Sequence, residues 1–342
     1  MSIALDATYS LDRHLTGVGV YSRQLLFGLA RAHPDSQFTF LYRPHRFLRS
    51  FQDSLPKNVR RGTGFSLWRS CELFHGLNQR VDSARYRRTI STFHDLFVLT
   101  GDYSTSEFRQ RFAAQARLAA QRSDLIIAVS AFTAGQVRDL LNVEASRIRV
   151  IHHGVSPPPA AGGATIAREP MVLFTGSLQH RKNVLRLIEA FERAAPSDWT
   201  LVLAGSTGFG AEEILRRAGQ NQRIVVTGYV SNDELNRLYS RAAVFAFPSL
   251  DEGFGMPVLD AMARGVPVLT SNKSALPEVA GDAALLVEPA SVDSIETGLK
   301  KLIEDEALRT ELSNRGIERA RQFSWGKAVE ETWQVYGELL AG

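Results

Sequence analysis

The chain of 342 residues has a single cysteine, Cys71, so it cannot form an internal disulfide. Nothing beside it would activate a thiol, and a buried, inert thiol is the expectation. No apolar run approaches the roughly 18 residues that span a bilayer. The opening MSIALDATYS lacks a basic stretch followed by an apolar one, which leaves a cytoplasmic location as the expectation. No Asp-x-Asp pair occurs, so the short carboxylate motif that holds a divalent ion is missing and no metal is expected. The first glycine-rich stretch, GVGVY, has two glycines and no third at the dinucleotide spacing, which argues against a Rossmann cofactor site. No basic block is long enough to act as a tail, and no nucleic-acid motif accompanies the arginines.

What is present is a globular composition, 44% hydrophobic and 22% charged, in a chain long enough for two domains. Charge divides between the halves. Residues 1–155 hold 21 Lys and Arg against 12 Asp and Glu, whereas residues 156–342 hold 19 against 24. The arginine-rich first half suits peripheral contact with an anionic membrane face, or a lipid-phosphate acceptor, better than nucleic acid.

Apolar runs and helical periodicity alternate along both halves, the pattern of parallel sheets covered by helices. In the first half, strands are expected at residues 3–6, 38–42, 72–75, 89–93, 125–129 and 149–151. A loop at 11–19 leads into a helix at 20–32, and further helices are expected at 105–121 and 132–141. The 105–121 segment reads as an amphipathic surface helix, with a membrane-surface helix as the alternative. His94 closes the fourth strand, and His152-His153-Gly154 marks an exit. Adjacent histidines on extended chain point apart, so that pair makes a poor metal site. Residues 156–169 carry three prolines and two glycines and read as a linker. The second half restarts with a strand at 171–175, a loop at 176–182, and a helix from Asn183, taken as its cap. Strands at 200–204, 224–226 and 244–247 follow. Residues 291–322 read as peripheral helices and 324–340 as a last helix.

The chemistry concentrates at residues 248–270, PSLDEGFGMPVLDAMARGVPVLT. A buried strand runs into Gly253 and Gly255, Pro257 suits the first turn of a helix, and Gly265 ends it. Such a layout presents backbone N–H groups and a positive dipole to a phosphate. Glu252 and Asp260 flank the loop. Acids beside a phosphate site fit sugar hydroxyls better than phosphate, because like charges repel; a solvated loop with an ordinary helix-start acid is the competing reading. Arg181 and Lys182, next to the helix start at Asn183, form a candidate diphosphate clamp, with surface salt bridging as the alternative.

EGFGMPVLDAMARGVPV resembles the donor-binding signature of retaining glycosyltransferases of family 4. The likeness extends through SALPEVAGDAALLVEP at 274–289, LFTGSLQHRKNVLRLIEAF at 173–191 and TGVGVY at 16–21. It implies an α/β GT-B fold, with two Rossmann-like domains facing across a deep cleft. The first domain, on the acceptor side, would span 1–155; 156–169 would link it to a nucleotide-sugar donor domain at 170–323; and a helix at 324–342 would return to the first domain. The resemblance implies transfer of a hexose from a nucleoside diphosphate sugar to an acceptor hydroxyl with retention, without metal or other cofactor. Mannosyl- and rhamnosyltransferases of bacterial surface polysaccharides are the nearest pattern, with a glycan or lipid-linked acceptor. A catalytically silent nucleotide-sugar-binding partner, and a GT-B epimerase or hydrolase, remain as alternatives.

The resemblance also assigns roles. Gly17 and Gly19 would lie near the donor phosphates, and His94 would contact the donor sugar, with Asp95 as a supporting group. Gly176 and Ser177 would line the diphosphate path, with Arg181 and Lys182 as its cations. Tyr229 and Val230 would face the nucleobase. Glu252, with the Gly253-Phe254-Gly255-Met256 backbone, would hold the sugar, and Asp260 the ribose. Two positions depart from the family: Ser177 stands where an Arg is usual, and Asp260 stands in place of the second Glu.

Overall fold

The computed structural model describes residues 1–12, 15–63, 71–81, 86–156 and 168–341. The chain divides into two compact units, one of Met1–Gly154 with Phe323–Gly342 and one of Val155–Gln322. Most of the expected linker, residues 157–167, lies outside the described residues. Its last residue, Glu169, is already in a strand.

The first unit holds β1 (Ser2–Asp6), β2 (Gln37–Tyr42), β3 (Val59–Thr63), β4 (Leu73–Gly76), β5 (Thr89–Phe93), β6 (Leu125–Ala128) and β7 (Ile148–Val150). They form one parallel sheet in the order β3-β2-β1-β4-β5-β6-β7. The inner strands are buried on both faces, as in LIIA of β6, although β4 and β5 bury His75, Ser91 and Thr92 among their apolar residues. β3, VRRGT, escapes the hydrophobic pattern: it is an edge strand with alternating exposure, and its arginines protect the open edge.

Helix Gly17–Ala32 starts three residues earlier than periodicity indicates, so Gly17 and Gly19 belong to its first turn and not to the preceding loop. Thr16, extended at φ −75° and ψ 174°, makes the turn into it. The last helix, Trp325–Ala341, buries Ala328, Val329, Val335 and Tyr336 in this unit's core. Gly154 allows that helix to approach. A Cβ there would stand 2.1 Å from the Trp325 nitrogen, so no side chain fits. Helix Ser106–Arg122 turns Phe112, Ala116, Ala119 and Ala120 into the core, and its apolar face is therefore not free for a membrane.

The second unit holds β8 (Glu169–Thr175), β9 (Thr200–Ala204), β10 (Ile224–Gly228), β11 (Ala242–Phe247), β12 (Val268–Ser271) and β13 (Ala284–Val287). Its parallel order is β10-β9-β8-β11-β12-β13. Helix Val292–Glu304 is not peripheral: Ile295, Gly298, Leu299 and Leu302 are buried, and Gly298 lies against Leu269 and Val287 of the sheet. Both sheets reverse their winding direction once, between β1 and β4 and between β8 and β11. In open parallel sheets ligands bind outside the carboxyl ends of the strands at such a reversal.

Candidate active site

In the second unit the reversal brings together the segments after β8 and β11. The first contains Gly176, Ser177 and a short turn, His180–Lys182; the second contains Asp251 to Gly255. The two are stitched by the Leu250 N–H donating to the Arg181 carbonyl at 2.9 Å. Asn183 does not cap its helix. It stands in the left-handed region at φ 61°, and its amide donates to the carbonyls of Pro248 (2.9 Å) and Pro289 (2.7 Å), tying the segment after β8 to those after β11 and β13.

This frame places Arg181, Lys182 and Glu252 side by side, each with at most a tenth of its side chain exposed. Lys182 Nζ donates to Glu252 Oε1, Arg181 Nη1 lies 3.1 Å from Glu252 Oε2, and Arg181 also donates to the Asp251 carbonyl. Lys182 Nζ sits 4.7 Å from the centre of the Phe247 ring. Burial pushes the Glu252 carboxyl up, but the attraction of Arg181 and Lys182 outweighs it and holds the group below its ordinary range. The trio carries two positive charges and one negative, out of water, at the strand ends. An anion approaching Arg181 and Lys182 meets their charges in a medium that screens them weakly.

Beside the trio, helix Met256–Ala263 begins at Gly255, which has φ 103°. That φ favours glycine, and a Cβ there would also have to displace the Leu276 side chain, whose Cδ2 would lie 2.6 Å away. Glu252 is itself fixed by its N–H donating to Ser274 Oγ at 3.1 Å. Phe254 is buried, and the first-turn N–H groups at Gly255 and Met256 complete the positive end of the helix. Asp260, one turn on, pairs with Arg264 at 3.0 Å. Arg264 also bonds Asn236 at 2.9 Å and lies over Tyr239, 5.0 Å from its ring centre. Arg264 and Asn236 are partners that the sequence reading did not include.

Gly176 and the 228–230 segment share this edge: the Gly176 N–H donates to Ala204 O, and the Gly205 N–H to Gly228 O, both at 2.9 Å. Tyr229 projects with 48% of its surface exposed.

In the first unit His94 lies at the carboxyl end of β5 and is buried. Its Nε2 is 2.9 Å from the Leu77 carbonyl, which can only accept, so Nε2 carries the proton and Nδ1 is the bare nitrogen. Nδ1 faces His153 Nε2 at 3.4 Å. Tyr21, from the helix that Gly17 and Gly19 open, packs edge-on against both rings at 4.7 and 4.9 Å. Behind it runs a buried chain: Tyr21 Oη to Thr92 Oγ1 (2.9 Å), Thr92 to His75 Nε2 (2.8 Å), and His75 Nδ1 to Tyr336 Oη (2.6 Å). Burial lowers His94 to about 4, and burial with the nearby His94 lowers His75 to about 3, so both rings are neutral near pH 7. Nothing in the sequence pairs His153 with His94 or His75 with Thr92, because both partnerships form through tertiary folding. In this structure both His94 nitrogens are engaged within the unit.

Residues 20–157 match Glycosyltransferase Family 4, and residues 163–322 match Glycosyl transferases group 1. The O-antigen chain mannosyltransferase B of Escherichia coli is 30% identical over 281 residues, 77% of this chain and 74% of that protein. The chain belongs to glycosyltransferase family 4. A second E. coli relative of this glycosyltransferase, the serotype-specific mannosyltransferase WbdA, is 29% identical over 279 residues. That match covers 74% of this chain but only 34% of WbdA, so the glycosyltransferase corresponds to about a third of that protein. Among solved structures, a sucrose-phosphate synthase from Thermosynechococcus elongatus superposes with a TM-score of 0.80 at 21% identity, covering 100% of this chain and 99% of that one. Anabaena HepE, solved with UDP and glucose, gives 0.77 at 17% identity over 99% and 100%. These likenesses establish the GT-B fold.

Proposed function

We propose that this glycosyltransferase moves a hexose, of the mannose type, from a nucleoside diphosphate sugar to a hydroxyl of a lipid-linked or surface glycan. The reaction retains the anomeric configuration and uses no divalent metal. The observation that carries the reading is the buried trio of Arg181, Lys182 and Glu252 at the sheet reversal, beside the helix that begins at Gly255. A leaving diphosphate gains negative charge in the transition state, and donors fixed in advance stabilise it without reorganising. Arg181, Lys182 and the helix N-terminus supply that positive potential. Glu252, an ionised acceptor, takes sugar hydroxyls and returns to the two cations when the site empties. Asp260 takes the ribose hydroxyls and Tyr229 borders the base. The departing phosphate accepts the proton of the incoming hydroxyl on the same face. The mannose assignment rests on the names of the relatives.

The test is a panel of GDP-, UDP-, dTDP- and ADP-linked hexoses with an alkyl mannoside acceptor, assayed with and without EDTA. One nucleotide class should support transfer, with the α-anomer of the donor kept in the product and no loss to EDTA. An inverted anomer, or activity abolished by EDTA and restored by magnesium, would overturn the mechanism.

A further inference from the structure

In the first unit, Pro44–Phe47 forms one helical turn and Leu48–Gln52 continues as a 3₁₀ helix. With three residues per turn, Leu48 and Phe51 fall on the same face. They are among the most exposed large apolar residues described, at 82% and 61%. Phe51 is held outward, not tucked in. The Arg61 guanidinium lies 4.8 Å from its ring centre, and the Phe47 ring meets it edge-on at 5.4 Å. Arg61 is tied in turn to the Ser50 carbonyl at 3.1 Å.

The charge around this pair is predominantly positive, with Asp12 taken by Arg46 at 2.7 Å. Residues 43–61 contain six Lys and Arg and one acid, Asp53, which is taken by Arg23 at 2.8 Å. Arg49, Lys57 and Arg60 are exposed and have no acidic partner among the described residues. Elsewhere on the chain Arg193, Arg217 and Arg241 each face a glutamate, as Arg138 and Arg149 each face an acid. Arg60 lies on β3, the edge strand of its sheet, so the basic surface continues from the turn onto that edge.

We infer that the turn carrying Leu48 and Phe51, with Arg49, Lys57 and Arg60 around it, docks on an anionic lipid surface. Two apolar side chains are too few for the core of a protein interface, which engages about 20 residues a side. They suffice to wedge between headgroups while cations meet lipid phosphates. The inference rests on the lipid-linked acceptor reading only for its purpose, since docking places the first unit where such an acceptor resides.

The experiment is co-sedimentation of the full chain with vesicles of phosphatidylcholine alone, or of equal parts phosphatidylcholine and phosphatidylglycerol, without donor or acceptor. Binding to the anionic vesicles only is expected. It should weaken about thirtyfold in R49Q/R60Q, from two lost charges at about 1 kcal/mol each, and at least about tenfold in L48S/F51S. Thermal midpoints and donor binding should match the parent in both variants, which separates lost docking from misfolding. No binding by the parent overturns the inference, as does binding indifferent to L48S/F51S. A concentration-dependent dimer abolished by L48S/F51S, without vesicle binding, assigns the surface to a second copy and overturns it too. None of these readouts depends on turnover, so the glycosyltransferase reading stands or falls separately.

Discussion

At the scale of residues, the second unit commits three charged side chains to one buried contact. Removing a member of a buried ion cluster leaves the others uncompensated, which typically costs about 3–5 kcal/mol. Glu252→Gln should fall in that range because it removes a carboxylate that both cations contact, whereas Lys182→Ala, which leaves Arg181 on Glu252, should cost less. Urea unfolding of the singles and the double should give a coupling of about 1–3 kcal/mol; additive effects would mean that the contact is incidental. Sequence alone flagged Lys182 and Glu252 for different tasks, diphosphate and sugar. It could not pair them, because 70 residues separate the two and only the sheet reversal joins them. Asp260 is the converse case. Its carboxylate reads as a ribose acceptor from position, yet the fold supplies Arg264 as a partner one helical turn away.

At the scale of elements, the turn into helix Met256–Ala263 depends on a residue without Cβ. Gly255→Ala would force a side chain into the left-handed region and against Leu276. A cost of about 2–3 kcal/mol is expected from conformation and crowding together. Calorimetry should show the transition of the second unit moving down by several degrees; an unchanged midpoint would mean that the turn relaxes freely. Most elements were legible because buried parallel strands are continuous apolar runs and helices keep their period. β3 was not, since an edge strand with two arginines lacks that signature. Asn183 misled for another reason: it occupies the cap position, but its amide is recruited by two distant carbonyls. The burial of helix Val292–Glu304 also escaped, because a surface helix and a layer helix share the same period.

At the scale of the whole molecule, acid should act on the two units in sequence. His94 at about 4 and His75 at about 3 lie below the 6.5 of an unfolded histidine. The unfolded chain therefore binds protons that the folded first unit refuses, so stability present above pH 6.5 falls as pH drops towards 4. Glu252, held below 4.5, contributes stability that is lost only on further acidification through its folded value. Between pH 7.5 and 5.5 the first unit alone should loosen. Peptide-level hydrogen exchange, corrected for intrinsic rates, checks this; equal loosening of the second unit would contradict it.

The central claim is that Arg181 and Lys182, held buried beside Glu252, bind the diphosphate of a nucleoside diphosphate. Calorimetric titration of GDP, UDP, dTDP and ADP, with EDTA present, tests it most directly. One nucleotide should bind, and Lys182→Ala should weaken it by about tenfold or more through the loss of a charge-assisted contact. Binding unaffected by that substitution, or absent for all four nucleotides, would contradict the account.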